Sequence, residues 1–306
     1  MRKSTIITQV LVTSAIIMCY LYFQAITKKD KLENDEQISN HDHQSSPQWS
    51  REIYDQWHDC VMKNLTHYRG YSETLWKVIK FVIKDCEYTL ESRLLIENYQ
   101  NKDETKRHIT PLNNEPSVII TLGVGHDVNS EISLKNVLDS RGVKFYGADP
   151  MYEINSDLYR QVGTFFNFAV GAQPGIFSLS VLDGGRYKAK AAPVVGLVYF
   201  IKDVLKINAI DDIWIDVEGS EYDLFEHFYS DGQLNRNNIT ICQWNMEIHS
   251  PQVEKKKMIH DFLYRLLDDR KYVFARTLAG MHMRLYAINF KDKECVEKYI
   301  KRGNNL

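Results

Sequence analysis

None of the five cysteines in this 306-residue chain are spaced as C-x-x-C. That removes the usual zinc-ribbon and thioredoxin-type readings. Charge of one sign is missing too: 38 Lys and Arg stand against 40 Asp and Glu, a formal net of −2. A general nucleic-acid binder usually carries a basic face, so no nucleic-acid partner is expected. The phosphate-binding signatures are incomplete. In Leu122-Gly123-Val124-Gly125-His126-Asp127, the third glycine of G-x-G-x-x-G is replaced by Val128, and no Lys-Ser/Thr pair follows. The dinucleotide and P-loop patterns both fail there, which disfavours an NAD-dependent oxidoreductase.

What is present begins with a membrane signal. Arg2 and Lys3 precede an almost uncharged run over residues 5–26, and Lys28, Lys29 and Lys31 close it. A membrane-spanning helix needs about 20 apolar residues, and Tyr20 and Tyr22 suit its interfacial end. A cleaved signal peptide is the competing reading, but its apolar region is usually shorter, and Phe23-Gln24-Ala25 is a poor cleavage site. The expected layout is a cytoplasmic tail (1–4), a signal-anchor (5–26), a polar stem (27–50), a helical extension (51–110) and a catalytic-type domain (111–306). The domain would lie in the ER or Golgi lumen, with secretion as the alternative. The sequons Asn64-Leu65-Thr66 and Asn238-Ile239-Thr240 agree with that compartment. Cys19 lies inside the apolar run. Cys60, Cys86, Cys242 and Cys295 could pair in three ways. A Cys60–Cys86 bridge between two N-terminal helices suits an oxidising lumen, while Cys242, on an apolar strand, also reads as a small buried residue. His41-Asp42-His43 reads as part of a solvated stem.

The stem is too polar to fold alone. Helical periodicity then dominates residues 51–100, with Leu75, Val78, Ile79 and Val82 as a stripe. Residues 101–116 read as a charged linker. After them, strands alternate with helices. Continuous apolar runs mark strands at 117–122, 143–148, 165–170, 213–217 and 239–248, with an edge strand near 176–181. Residues 197–205 read as strand or short helix. Ser220 is placed to cap the helix after the 213–217 strand. Residues 272–278 and 284–290 are too close for a helical crossover and are expected to form an antiparallel hairpin. This is the pattern of an α/β fold with a largely parallel sheet covered on both faces.

Two stretches carry the chemistry. Glycines at 123 and 125 let the backbone turn tightly at the end of the first strand, and Asp149 ends the second, where an acid commonly accepts ribose hydroxyls. Ile213-Trp214-Ile215-Asp216-Val217-Glu218-Gly219-Ser220-Glu221 delivers Asp216 and Glu218 on alternate residues, which on a strand face the same side.

Together with Tyr146-Gly147-Ala148-Asp149-Pro150 and Asn167-Phe168-Ala169-Val170-Gly171, these segments resemble, in order, the FkbM-type S-adenosylmethionine-dependent methyltransferases. The likeness is to their membrane-anchored or secreted animal branch and covers residues 117–290. It implies a Rossmann-like seven-stranded sheet with the last strand antiparallel. It implies S-adenosylmethionine as cofactor, with Gly123 and Gly125 at its methionine end, Asp149 at the ribose, and Asn167 to Ala169 near the adenine. Asp216 and Glu218 would face the reacting centre, joined by His249 at the end of the fifth strand. These three are the candidate catalytic groups. Asp216 and Glu218 could instead hold a divalent cation. Two positions depart from the family pattern that the resemblance implies: Trp214 replaces a lysine two residues before Asp216, and Leu122 precedes Gly123 in place of an acid, which is either missing or displaced to Asp127. The expected reaction is O-methylation of a hydroxyl on a glycan, lipid or small molecule. The alternative is a non-catalytic lumenal binding protein of the same fold.

Overall fold

The computed structural model describes residues 46–90, 93–249 and 252–302. The run read as a membrane anchor, Cys19, the His41-Asp42-His43 triplet and most of the stem lie outside them. Among the described residues no helix is long and apolar enough to cross a membrane.

Two helices open the described residues, α1 (Gln48–Leu65) and α2 (Ser72–Cys86). Leu75, Ile79 and Ile83 recur every four residues on α2 and are fully buried, with Cys86 completing the stripe. Val78 and Val82 are only half-buried. α1 sends Trp57 against Phe274, ring centroids 6.2 Å apart. A disulfide between Cys60 and Cys86 ties the two helices, with Cα atoms 5.8 Å apart.

Next come β1 (Ile96–Gln100) and β2 (Thr105–Ile109), paired antiparallel. The helical extension therefore ends in a hairpin, and the charged linker expected from residue 101 is in part a strand. Periodicity does not reveal it because side-chain amides, not apolar contacts, hold it. Asn245 accepts from Arg107 N–H and donates to Arg107 C=O, and Gln243 does the same at Ile109.

The remaining elements are β3 (Val118–Leu122), α3 (Asn129–Leu138), β4 (Lys144–Ala148), α4 (Asn155–Tyr159), β5 (Thr164–Phe166), β6 (Ala169–Gly171), β7 (Gly175–Asp183), β8 (Arg186–Gly196), α5 (Leu197–Tyr199), β9 (Ala209–Ile215), α6 (Glu221–Leu224), α7 (Gln233–Arg236), β10 (Thr240–Ile248), α8 (Val253–Asp268), β11 (Tyr272–Ala279), β12 (Met283–Asn289) and α9 (Lys293–Tyr299). A seven-stranded sheet runs in the order β11-β12-β10-β9-β3-β4-β5. Its neighbours from β10 to β5 pair in parallel. β12 is antiparallel to both of its neighbours, as expected of the last strand. From β3 the chain builds outward to β4 and β5, then returns to place β9 on the other side of β3. The order reverses between β3 and β9, and ligands in open α/β sheets bind outside the strand ends at such a point.

Three expectations need correction. The strand expected at 165–170 breaks after Phe166, where the Asn167 side chain donates to the carbonyls of Asp149 and Pro150. β5 stays in the main sheet, and β6 joins a separate sheet of order β6-β8-β7. The edge strand near 176–181 is one arm of a long β7–β8 hairpin, turned by Gly184 and Gly185, both at positive φ. Cys242 is not a lone buried thiol: it is bonded to Cys295, tying β10 to α9. Trp214, where the family pattern has a lysine, is fully buried among Ile119, Val128 and Leu134 and serves packing.

Candidate active site

The glycine turn after β3 and the acidic turn after β9 meet back to back. Gly123 has φ +86°, and a Cβ there would lie 1.8 Å from the Asp216 carbonyl oxygen. Only glycine permits this approach. Gly123 N–H donates to Ala148 C=O and Asp216 N–H to Leu122 C=O, so the ends of β3, β4 and β9 are fixed together.

Around this junction lies a pocket of about 1090 Å³, its open mouth included. Gly123, Gly125, Asp149 and Ala169 line it, and the β7–β8 hairpin covers one side with Leu179 to Leu182 and Tyr187. Asp149 accepts from Val124 N–H at 2.9 Å and Met151 N–H at 2.7 Å, which points its carboxylate into the pocket wall. Each oxygen keeps a second lone pair for a ligand hydroxyl. Asn167 does not line the pocket; it fixes the Asp149-Pro150 loop. Asp127 lines the pocket, but its oxygens accept from Lys102 and Asn129 N–H. It anchors the β1–β2 turn and the start of α3.

At the β9 end the alternation argument does not hold as stated. The strand stops at Ile215, and Glu218 sits in a turn at φ +54°. The turn still brings both carboxylates to one nitrogen. His249 Nε2 is 3.5 Å from Asp216 Oδ1 and 3.2 Å from Glu218 Oε2. Its other nitrogen, Nδ1, bonds Glu221 Oε1 at 2.9 Å. Fully buried Glu221 also accepts from Val217 and Gly219 N–H. It orders the whole turn, and with it the imidazole. Ser220, expected as the helix cap, makes no side-chain cap; the Glu221 carboxylate holds the turn instead.

The β1–β2 hairpin adds a lysine from the far side. Lys106 is buried and pairs with Glu104 at 2.6 Å. Burial works against its charge, but Glu104, then Asp216 and Glu131, outweigh that and raise its pKa. Lys106 thus brings to Asp216 a positive charge that position 214 does not supply. Burial drives the Asp216 carboxyl up to about 8; Lys106 opposes this, Glu104 and Glu247 add to it, and His249 opposes it. The Asp216 side chain is 29% exposed, but onto pocket walls rather than bulk water, so desolvation still dominates. For His249, burial alone would lower the value; Glu221 first, then Asp216 and Glu218, carry it to about 9. These groups titrate as one cluster.

The comparisons with known proteins bear on this geometry. Residues 74–274 match the methyltransferase FkbM domain. The chain belongs to the FkbM methyltransferase family. It is 22% identical over 260 residues to uncharacterized protein C28H8.7 of Caenorhabditis elegans, covering 80% of each chain. Among solved structures it is similar to the citrinin polyketide synthase CMeT domain, at 10% identity and a TM-score of 0.29 over 71% of this chain. It spans about half, 52%, of that structure's length.

Family membership makes the protein a methyltransferase and implies S-adenosylmethionine as donor. The pocket fits such a group on two counts. Its lining combines the Asp149 carboxylate with the apolar residues Leu179, Val181 and Val194, the polar and apolar groups that an adenosine requires. The buried Glu131 Oε2 has no hydrogen-bond partner, and Asp216 Oδ1 has only the 3.5 Å ionic approach of His249. Of the residues expected from sequence, Gly123, Gly125, Asp127, Asp149, Ala169, Asp216 and Glu218 line one pocket, with His249 against its acidic edge. Lys106, Glu104, Glu131 and Glu221 escape the sequence reading. Glu221 stands inside the Asp216–Glu221 motif, and its spacing there is the one signal that points to it.

Proposed function

We propose that the protein transfers the methyl group of S-adenosylmethionine to a hydroxyl oxygen, with Asp216 as the base. The observation that carries this is the convergence of Asp216 and Glu218 on His249 Nε2, beside the glycine turn and Asp149. When bound, the cofactor supplies an electrophilic methyl group on a sulfonium. The chain's own residues do the rest. Asp149 and the 123–125 turn hold the nucleoside end and aim it at the strand ends. An alcohol becomes a competent nucleophile as its proton leaves. Asp216, with a pKa near neutrality, can take that proton, and His249 with Glu218 beside it can spread the charge. Glu221 holds the imidazole in place throughout. Transfer is otherwise a matter of alignment, and Tyr187, whose hydroxyl pairs with Glu218, closes the acceptor side.

Glycans, lipid head groups and small molecules of the secretory pathway are the acceptor classes proposed. The apolar run at 5–26 would anchor the chain, leaving the domain lumenal, with secretion as the alternative. Two disulfides among the described residues suit that compartment, and Asn64 and Asn238 are both exposed. A divalent cation is a second reading of the acidic edge, because ligand atoms of Asp216, Glu221 and His249 lie within 4.8 Å of one another. The test is transfer of labelled methyl from the donor to acceptors in a lumenal extract. Wild type should label an acceptor and Asp216→Asn should not, with no loss of activity in chelator. Equal labelling by D216N would sink the base assignment; loss of wild-type labelling in chelator would favour the cation.

A further inference from the structure

The chain departs from its family by lacking an acid at the end of β3, and Asp127, the residue expected to replace it, is committed to two backbone N–H groups. Another acid reaches the same place. Glu131, in the first turn of α3, is 1% exposed yet lines the pocket. Its Oε1 accepts from the Thr121 hydroxyl at 3.0 Å, and Thr121 stands two residues before Gly123. Tyr159 donates to the same hydroxyl oxygen at 3.0 Å, which leaves Thr121 to give its proton to Glu131. The other oxygen, Oε2, is buried with no partner. A buried carboxylate oxygen left unpaired is costly, and such an atom in a ligand pocket marks a place for a donor.

Resting on the cofactor reading above, we propose that Glu131 is the acid that receives the α-ammonium of the cofactor's methionine portion. The placement follows from which strands carry the lining residues. All line one pocket, but Asp149 follows β4 and Ala169 opens β6 beside the β7–β8 hairpin, whereas Thr121 lies on β3, one strand nearer β9, with Glu131 bonded to it and Glu104 and Lys106 coming from the β1–β2 hairpin. A positive charge there makes a charge-assisted bond with Oε2, and an amino-acid zwitterion brings one. The opposing charge on Lys106 gives Glu131 a purely structural alternative, that of balancing a buried lysine, and the test separates the two.

The experiment is calorimetric binding of S-adenosylhomocysteine and of 5′-methylthioadenosine, which has the same nucleoside but no amino-acid end, to the full chain. The expected result is that Glu131→Gln weakens S-adenosylhomocysteine roughly tenfold to a hundredfold and leaves methylthioadenosine unchanged. Glu131→Asp, which keeps the charge but shortens its reach, should fall between. If E131Q weakens both ligands alike, or neither, Glu131 only balances Lys106 and the assignment is overturned. If wild type binds neither ligand, the cofactor reading falls and this assignment with it. If wild type binds both equally well, only this assignment falls.

Discussion

Replacing Glu131 by glutamine should stabilise the protein above neutral pH and leave it nearly unchanged in acid. The carboxyl is carried from its ordinary 4.5 to about 7, chiefly by burial, with its own backbone N–H, then Lys106 and Thr121, holding it back from going higher. An acid raised in this way keeps its proton in the folded state over a pH range where the unfolded chain has already released it. Its contribution is therefore most favourable below 4.5, is lost as pH rises through 7, and levels off beyond. At about 1.4 kcal/mol per pH unit, the interval amounts to about 3.5 kcal/mol against the fold at high pH. Glutamine has the same shape and no charge to desolvate, so E131Q escapes this cost. For a chain of this size the gain corresponds to roughly 5–6 °C in Tm. Thermal melts of both proteins at about pH 8.5 and about pH 5 would read it. Groups that do not face Glu131 are common to the two and drop out of the difference, and Lys106, which Glu104 and Asp216 still hold protonated, does not titrate between these pH values. A Tm difference that is the same at both pH values, or E131Q less stable at high pH, would mean that Glu131 is not held protonated by burial. A variant that gains stability while losing S-adenosylhomocysteine would show a binding group held at a structural cost.

Three further outcomes are expected. The wild-type methyl-transfer rate should rise with pH along a limb near 8, because Asp216, carried up to about 8, acts as a base only once deprotonated; a flat profile from pH 6 to 9 would exclude it. Gly123→Ala should lose at least about 2 kcal/mol of stability in a denaturant melt, since the site combines positive φ with backbone contact; a neutral change would mean that the two turns are not in contact. Replacing both Cys242 and Cys295 by serine should lower stability by roughly 4 kcal/mol on loop-entropy grounds, the bridge closing a 53-residue separation; melts that match wild type would show that the bridge does not form.

The parallel sheet was legible because its strands are uninterrupted apolar runs stopped by glycine or Asp-Pro. Val118 to Leu122 and Ile213 to Ile215 have no other way to be buried. The β7–β8 hairpin was not, beyond one arm. β8 runs Arg-Tyr-Lys-Ala-Lys-Ala-Ala, mostly exposed, and its one strong signal is the Gly184-Gly185 turn. The β1–β2 hairpin was hidden for a different reason: it docks through the amides of Gln243 and Asn245, and hydrogen bonding leaves no periodicity. Half of the site followed. Asp149, Asp216, Glu218 and His249 sit at strand ends, where position alone marks them. Lys106 and Glu131 come from a polar hairpin and a helix turn, and only the fold brings them to the strand ends.

The pocket between the β3 and β9 turns is proposed to hold a methyl donor through the chain's own residues. Calorimetric titration of S-adenosylmethionine and S-adenosylhomocysteine into the purified full chain decides this. Saturable one-to-one binding of both, weakened by Asp149→Ala, is the predicted result. No binding of either ligand by folded protein would contradict the claim and favour a non-catalytic binding protein built on the same sheet.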